Sequence, residues 1–232
     1  MSGTPAASAL SRDDEERLSK VRAAELFDSG MLDELEPGTW AALSAIHRQL
    51  FCDVFSFAGE LRDVDLSKGS MRFASRLYLS ESVAAVERMP QTDFGEVVAK
   101  YVEMNVCHPF CEGNGRAMRI WLDHLLAHVI GRAVDWAAIE TGEYLRAMER
   151  SPVCDTEIKV VLSRDSEVRL TSWLAAPSHP KHVAEIAFCS SPPSVAEIPL
   201  CSLGAPNEQS GISATRGMNK TRFLLQVGES HK

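Results

Sequence analysis

Long apolar runs are missing from this 232-residue sequence, and none approaches the roughly 20 residues that span a bilayer. No membrane-spanning segment is therefore expected. A basic excess is missing too: 24 Lys and Arg stand against 32 Asp and Glu, a net charge of −8. Phosphate attraction needs clustered cations, so direct nucleic-acid binding is not expected. The six cysteines form no CxxC pair, and no HExxH occurs. Cys107 and Cys111 bracket His108, but the four ligands at matched spacing that zinc requires are absent. His124 and His128 lie four apart on a predicted helix and read as surface histidines. The leading stretch MSGTPAASALSRDDEER is polar and acidic where a signal peptide would be basic and then apolar. A cytoplasmic location is the expectation.

What is present divides unevenly. Residues 1–171 hold 28 acids and 19 bases, whereas residues 172–232 hold 4 and 5. The later segment also carries six of the eleven prolines and nine serines, turn chemistry without a helical period. We expect a flexible segment over 1–19, a folded domain over 20–165 and a poorly ordered Pro/Ser-rich tail over 166–232.

The folded part reads as mostly helical. Residues 11–28 carry a partial apolar stripe of Leu18, Val21, Ala24 and Leu26. Thr39 can cap a helix whose core face is Trp40, Leu43, Ile46, His47 and Leu50. Residues 59–79 break the pattern, with Lys68-Gly69-Ser70 as a turn, and predict a short hairpin of two brief strands at most. Asp93 with Glu96 forms a capping-box pair before a helix running to His108, where Pro109 disfavours continuation. A buried central helix is predicted from Asn114 through Val129, and another from Gly142 to Arg150.

The informative stretch is His108-Pro109-Phe110-Cys111-Glu112-Gly113-Asn114-Gly115-Arg116-Ala117-Met118-Arg119. Gly113 and Gly115 let the backbone turn and approach a ligand with no Cβ in the way. They lead into a helix whose first N–H groups lack intrahelical partners and lie at the positive end of the dipole, a site for phosphate. Arg116 and Arg119 are three apart, so a shared face with two guanidinium forks is expected, suited to a polyphosphate. Glu112 stands where a carboxylate can hold Mg²⁺ beside phosphates. His108 is the group able to accept a proton near neutral pH.

The run HPFCEGNGRAMR is similar, position by position, to the signature HxFx(D/E)GNGRxxR of the Fic family. The resemblance extends to AGELRDVDLSKGSMRFA, YVEMNVCHPF, IWLDHLL and YLRAMERSPV, covering roughly residues 20–165. It implies an all-α fold, a compact helical bundle with a short β-hairpin flap over the active site. It implies a protein adenylyltransferase that moves AMP from ATP to a Ser, Thr or Tyr hydroxyl of a target protein and releases pyrophosphate. By matching positions, His108 would be the base and Glu112 the magnesium ligand. Gly113, Asn114 and Gly115 would line the anion hole, and Arg116 and Arg119 would hold the β- and γ-phosphates. Asn105 and Lys68 would also face the nucleotide, a solvated turn lysine being the other reading of Lys68. The flap Ser67 to Ala74 would pin the target by strand addition.

Two alternatives stand beside this reading. A Doc-like protein kinase resembles the motif but has Lys where this chain has Gly115, which would fill the hole and reverse the nucleotide. A target-binding module without catalysis is the other. As a group, small bacterial Fic toxins imply a type II topoisomerase ATPase subunit as target, and a separate antitoxin as restraint. The family's inhibitory pattern (S/T)xxxE(G/N) is missing: the only Glu followed by Gly or Asn is Glu112, although Glu185 or Glu197 of the tail are weak substitutes.

Overall fold

The computed structural model describes residues 11–68, 71–164 and 168–169. These all belong to one compact unit of the chain. The hairpin tip at 69–70, the leading ten residues and the tail from 170 onward, with Glu185 and Glu197, lie outside the described residues.

Seven α-helices make up most of the described chain: α1 (Arg12–Asp28), α2 (Trp40–Phe51), α3 (Leu79–Glu87), α4 (Phe94–Cys107), α5 (Asn114–Ile130), α6 (Thr141–Arg150) and α7 (Thr156–Arg164). The fold is all-α as expected, with two minimal two-stranded sheets among the described residues. In the first, β1 (Ser67–Lys68) pairs antiparallel with β2 (Met71–Arg72), matching Ser67 to Arg72 and Lys68 to Met71. In the second, β3 (Arg132–Ala133) pairs with β4 (Val168–Arg169). That pairing was not anticipated, because two-residue strands carry no alternation to read.

Helix α5 is the centre of the bundle. Its apolar residues Met118, Ile120, Trp121, Leu122, Leu125 and Leu126 are buried, and α2 and α4 pack against it. The helix starts follow the predicted caps. Thr39 Oγ1 accepts from the Ala42 N–H at 3.1 Å, and Asp93 Oδ1 accepts from the Glu96 N–H at 2.9 Å. Glu96 closes its half of the box one residue early, accepting from the Thr92 N–H and hydroxyl at 2.7 Å each. Such a cap contributes about 1 kcal/mol.

The start of the chain departs from expectation. Residues 12–19, placed in a flexible segment, form the first turns of α1, capped by Ser11. Of the predicted stripe, Leu26 is buried, Leu18 and Ala24 are half-buried and Val21 is exposed; Ser19 and Ala23 complete the buried face. α1 packs on α2. His124 is also corrected, since it is fully buried rather than on the surface; only His128 is exposed. α5 is enclosed on nearly all sides, so no face was left for both imidazoles. Helices α3 and α7 were not singled out in the sequence, being nine residues each.

Candidate active site

The loop between α4 and α5 lies on a bed of buried rings. Phe110 is fully buried, its ring stacked on His47 at 3.7 Å between centroids and on Trp40 at 5.4 Å. His47 extends from α2 and bridges two backbones. Its Nδ1 accepts from the Gly59 N–H at 2.9 Å, which puts the proton on Nε2, facing the Glu112 carbonyl at 2.9 Å. Burial holds the His47 pKa down at about 4; the Glu112 carbonyl raises it against that, and nearby Arg116 lowers it further. A neutral imidazole thus fixes the loop one residue before the glycines.

His108 ends α4 in the left-handed conformation, φ 47° and ψ 64°, the single non-glycine residue with positive φ among those described. Its N–H still reaches the Met104 carbonyl at 3.0 Å, closing the helix. Pro109 stops α4 as expected, but through this left-handed turn instead of an extended residue. Such a conformation costs a branched or ringed L-residue about 1–2 kcal/mol and swings the side chain off the helix axis. The ring lands beneath the hairpin, stacked on Phe73 at 3.8 Å between centroids. One ring nitrogen donates to the Asn105 carbonyl, so the lone pair of the neutral ring is on the other. Burial, with the positive charges of Arg62 and Lys68, pushes its pKa down to about 3. At neutral pH His108 is an unprotonated imidazole. Lys68, on β1, lies near enough for its charge to lower the His108 pKa. Asn105 sends its side chain back to the Tyr101 carbonyl at 3.0 Å and serves His108 through its backbone.

The other end of the loop is a helix start with no side-chain cap, Gly113 being the N-cap of α5 at φ 79°. A Cβ there would fall 2.5 Å from the Phe51 ring, so only glycine fits. A Cβ at Gly115 would meet nothing within 4 Å, leaving room above the helix N-terminus. Asn114 departs from its expected role in one respect. Its amide and carbonyl are both bonded to the Phe110 backbone, at 2.7 and 3.0 Å, and its side chain is buried. It holds the loop closed, and what it has left to offer an anion is backbone.

The two arginines do not converge on one face. Arg116 lies over the Phe51 ring at 4.7 Å, donates to Ser19 Oγ at 2.5 Å and pairs with Glu15, both from α1. Arg119 is buried, 5.6 Å above Trp136 and near enough to Asp123 to lower that carboxyl's pKa. Burial outweighs this and raises Asp123 to about 7. The three-residue spacing gave proximity along the helix, but α1 and Trp136 pull the two side chains apart. Glu112 is half-buried at the loop's mouth, with Oε1 3.3 Å from the Gly113 N–H. No cluster of three or more metal-binding side chains exists among the described residues. The Glu112 carboxylate still fits Mg²⁺, a hard ion that takes one or two protein oxygens and fills its shell with phosphate and water.

With that geometry in hand, comparison with known proteins gives a consistent answer. The Fic/DOC family pattern matches residues 39–126, from the Thr39 cap through the core of α5. The probable protein adenylyltransferase y4lH of Sinorhizobium fredii is 32% identical over 149 residues, covering 59% of this chain and 74% of that protein. This chain belongs to the Fic family. The probable protein adenylyltransferase Fic of Salmonella typhimurium is 35% identical over 124 residues, which is 49% of this chain and 62% of that protein's length. The chain thus spans less than two thirds of that relative. Among solved structures, the BepC protein of Bartonella tribocorum with bound AMPPNP superposes with a TM-score of 0.55 at 19% identity, over 66% of this chain and 85% of that one. The FIC domain of Bep8 from Bartonella sp. 1-1C gives 0.58 at 16% identity, over 73% and 91%. These structures establish the Fic fold for this chain.

Sequence reasoning missed four residues that build this Fic site: His47, Arg62, Phe73 and Glu15. His47 and Phe73 had been placed on a core face and a hairpin, with no partner assigned. Arg62 is a charge buried to 4% exposure, which only the packed structure discloses. Glu15 sat in the supposed flexible segment.

Proposed function

We propose that the chain transfers AMP from ATP to a hydroxyl side chain of a target protein. The observation that carries this is the conjunction of a neutral His108 under the hairpin with open space above Gly115 at the uncapped start of α5. The curated relatives named as protein adenylyltransferases support the same reading. The target hydroxyl gives its proton to His108, and its oxygen bonds to the α-phosphorus while the bond from that phosphorus to the bridging oxygen breaks. Pyrophosphate leaves, stabilised by the α5 backbone N–H groups and by Arg116 once it exchanges Glu15 for phosphate. Glu112 would hold Mg²⁺ against the phosphates, which supplies charge neutralisation when bound. Most of the catalysis is then positioning and electrostatics.

The hairpin Ser67 to Ala74 is proposed to align the target backbone as an added strand. A type II topoisomerase ATPase subunit is the proposed target, and a separate antitoxin the proposed restraint. Incubation of the protein with α-labelled and with γ-labelled ATP tests the reaction. Transfer of α-label to a protein band is expected. Transfer of γ-label would indicate the Doc-like phosphorylation, and transfer of neither would indicate a binding module.

A further inference from the structure

We infer that Arg62 is a positioning residue that ties the target-binding hairpin to the base, so that the hairpin and His108 move as one unit. Its side chain is buried, and its guanidinium makes four hydrogen bonds to carbonyls from three segments. Nε donates to the His108 carbonyl at 2.7 Å, and Nη2 to the Cys107 carbonyl at 3.0 Å. Nη1 donates to the Val64 carbonyl at 2.5 Å, on the strand leading into β1. Nη2 also donates to the Ala74 carbonyl at 2.6 Å, where the chain leaves β2. The Arg62 backbone N–H completes the set by reaching the Pro109 carbonyl at 2.9 Å.

The physics explains why this residue is an arginine. The carbonyls of Cys107 and His108 lie at the negative end of the α4 dipole, and a buried cation there offsets both the dipole and the unmatched acceptors. A planar fork can serve four carbonyls in fixed directions, which a lysine ammonium cannot. The His108 left-handed turn stores strain that must be over-determined by its surroundings. The hairpin strands are two residues each and have little stability of their own. Both weak elements share one guanidinium, with the Ala74 N–H to Val106 carbonyl bond at 3.0 Å and the Phe73–His108 stack as secondary ties. A target strand seated on the hairpin therefore meets a base held at a set distance from it.

This rests on the proposed transfer reaction, and the test separates the two. Arg62→Lys, with Arg62→Gln as second variant, is compared with the unaltered chain for α-label transfer, ATP affinity and amide hydrogen exchange. For Arg62→Lys we expect kcat to fall by about 10²-fold and KM for the protein target to rise, since small displacements of reacting groups cost that much. ATP affinity is expected to stay within about three-fold, because Arg62 does not touch the α5 N-terminus. The amides of Phe73, Ala74 and His108 should exchange faster together by about ten-fold or more, while the Trp121 and Leu125 amides keep their protection. Hairpin amides that loosen without His108, or a raised KM with unchanged kcat, would overturn the coupling. Loss of ATP affinity and core protection together, or failure of both variants to fold, would make Arg62 a plain support of the fold and also overturn it. Should the unaltered chain transfer no label, the activity reading fails and the exchange pattern alone decides the role of Arg62.

Discussion

The loop at 108–113 and the hairpin facing it are held by different means. Beneath the loop lie Phe110, Phe51, Trp40 and His47, a layer in which each ring touches the next and Asn114 closes the backbone. The hairpin has no such bed: Ser67 and Arg72 are exposed, its strands are two residues long, and Arg62 and Phe73 tie it down. A close-packed loop facing an arm tied mainly through Arg62 suits the proposed reaction, which binds one constant ligand and aligns a second of variable sequence. Ground held by close packing should respond to substitution through stability, and the arm through rate.

Removing the base gives the largest effect on rate. His108→Ala should lower α-label transfer by about 10²–10⁴-fold with ATP affinity retained. A variant keeping more than a tenth of the rate would remove His108 from its role.

The two glycines at the start of α5 offer the sharpest contrast. Gly115→Lys puts a side chain into open space, so Tm should hardly move while AMP transfer falls by about ten-fold or more. Gly113→Ala should act the other way round, through stability. The left-handed backbone costs about 1–2 kcal/mol and the Phe51 ring must shift, lowering Tm by several degrees. Equal Tm losses in the two variants would refute the different packing of the two positions.

Acid should weaken the bed before it reaches the carboxylates. His47 has a folded pKa of about 4 against an ordinary 6.5, so the unfolded chain binds its proton first. Its contribution is whole above pH 6.5 and is lost as pH falls toward 4. His108 and His124 act in the same direction, whereas Asp123, raised to about 7, gains stability over the range in which they lose it. The measurement is therefore differential. In a plot of Tm against pH, His47→Gln should show a shallower fall between 6.5 and 4 than the unaltered chain, and identical slopes would mean that His47 is not the buried neutral group described.

The smallest effect is expected at the α1 contact. Glu15→Gln weakens the hold on Arg116 and should raise ATP affinity by a few-fold, a typical size for one partly screened ion pair. Isothermal titration with ATP reads this directly, and a fall in affinity would show that Glu15 orients Arg116 for phosphate instead of competing with it.

Much of the fold could be read because its signals are local. The caps at Thr39 and Asp93, the stop at Pro109 and the glycine start of α5 each depend on a few neighbouring residues, and all four appear where expected. Val21 of α1 and the buried His124 were misread because a helix face is chosen by what packs against it. The shared face expected for Arg116 and Arg119 failed for a related reason: three-residue spacing sets only the Cα positions, and long side chains go where partners lie, here Glu15 on one side and Trp136 on the other.

The sequence alone determined the inventory of the candidate site, because one continuous run from His108 to Arg119 carries the proposed base, the carboxylate, the glycines and the arginines on a loop-to-helix turn whose geometry is local. Only the tertiary structure decided how that inventory is held. The proton on His47 is placed by Gly59 and Glu112, the strain at His108 is answered by Arg62, and the direction of Arg116 is set by α1. Each of these contacts joins residues at least 12 apart in the chain, and none leaves a periodic trace. They arise when packing removes water from polar groups, which must then find partners wherever the fold has placed them.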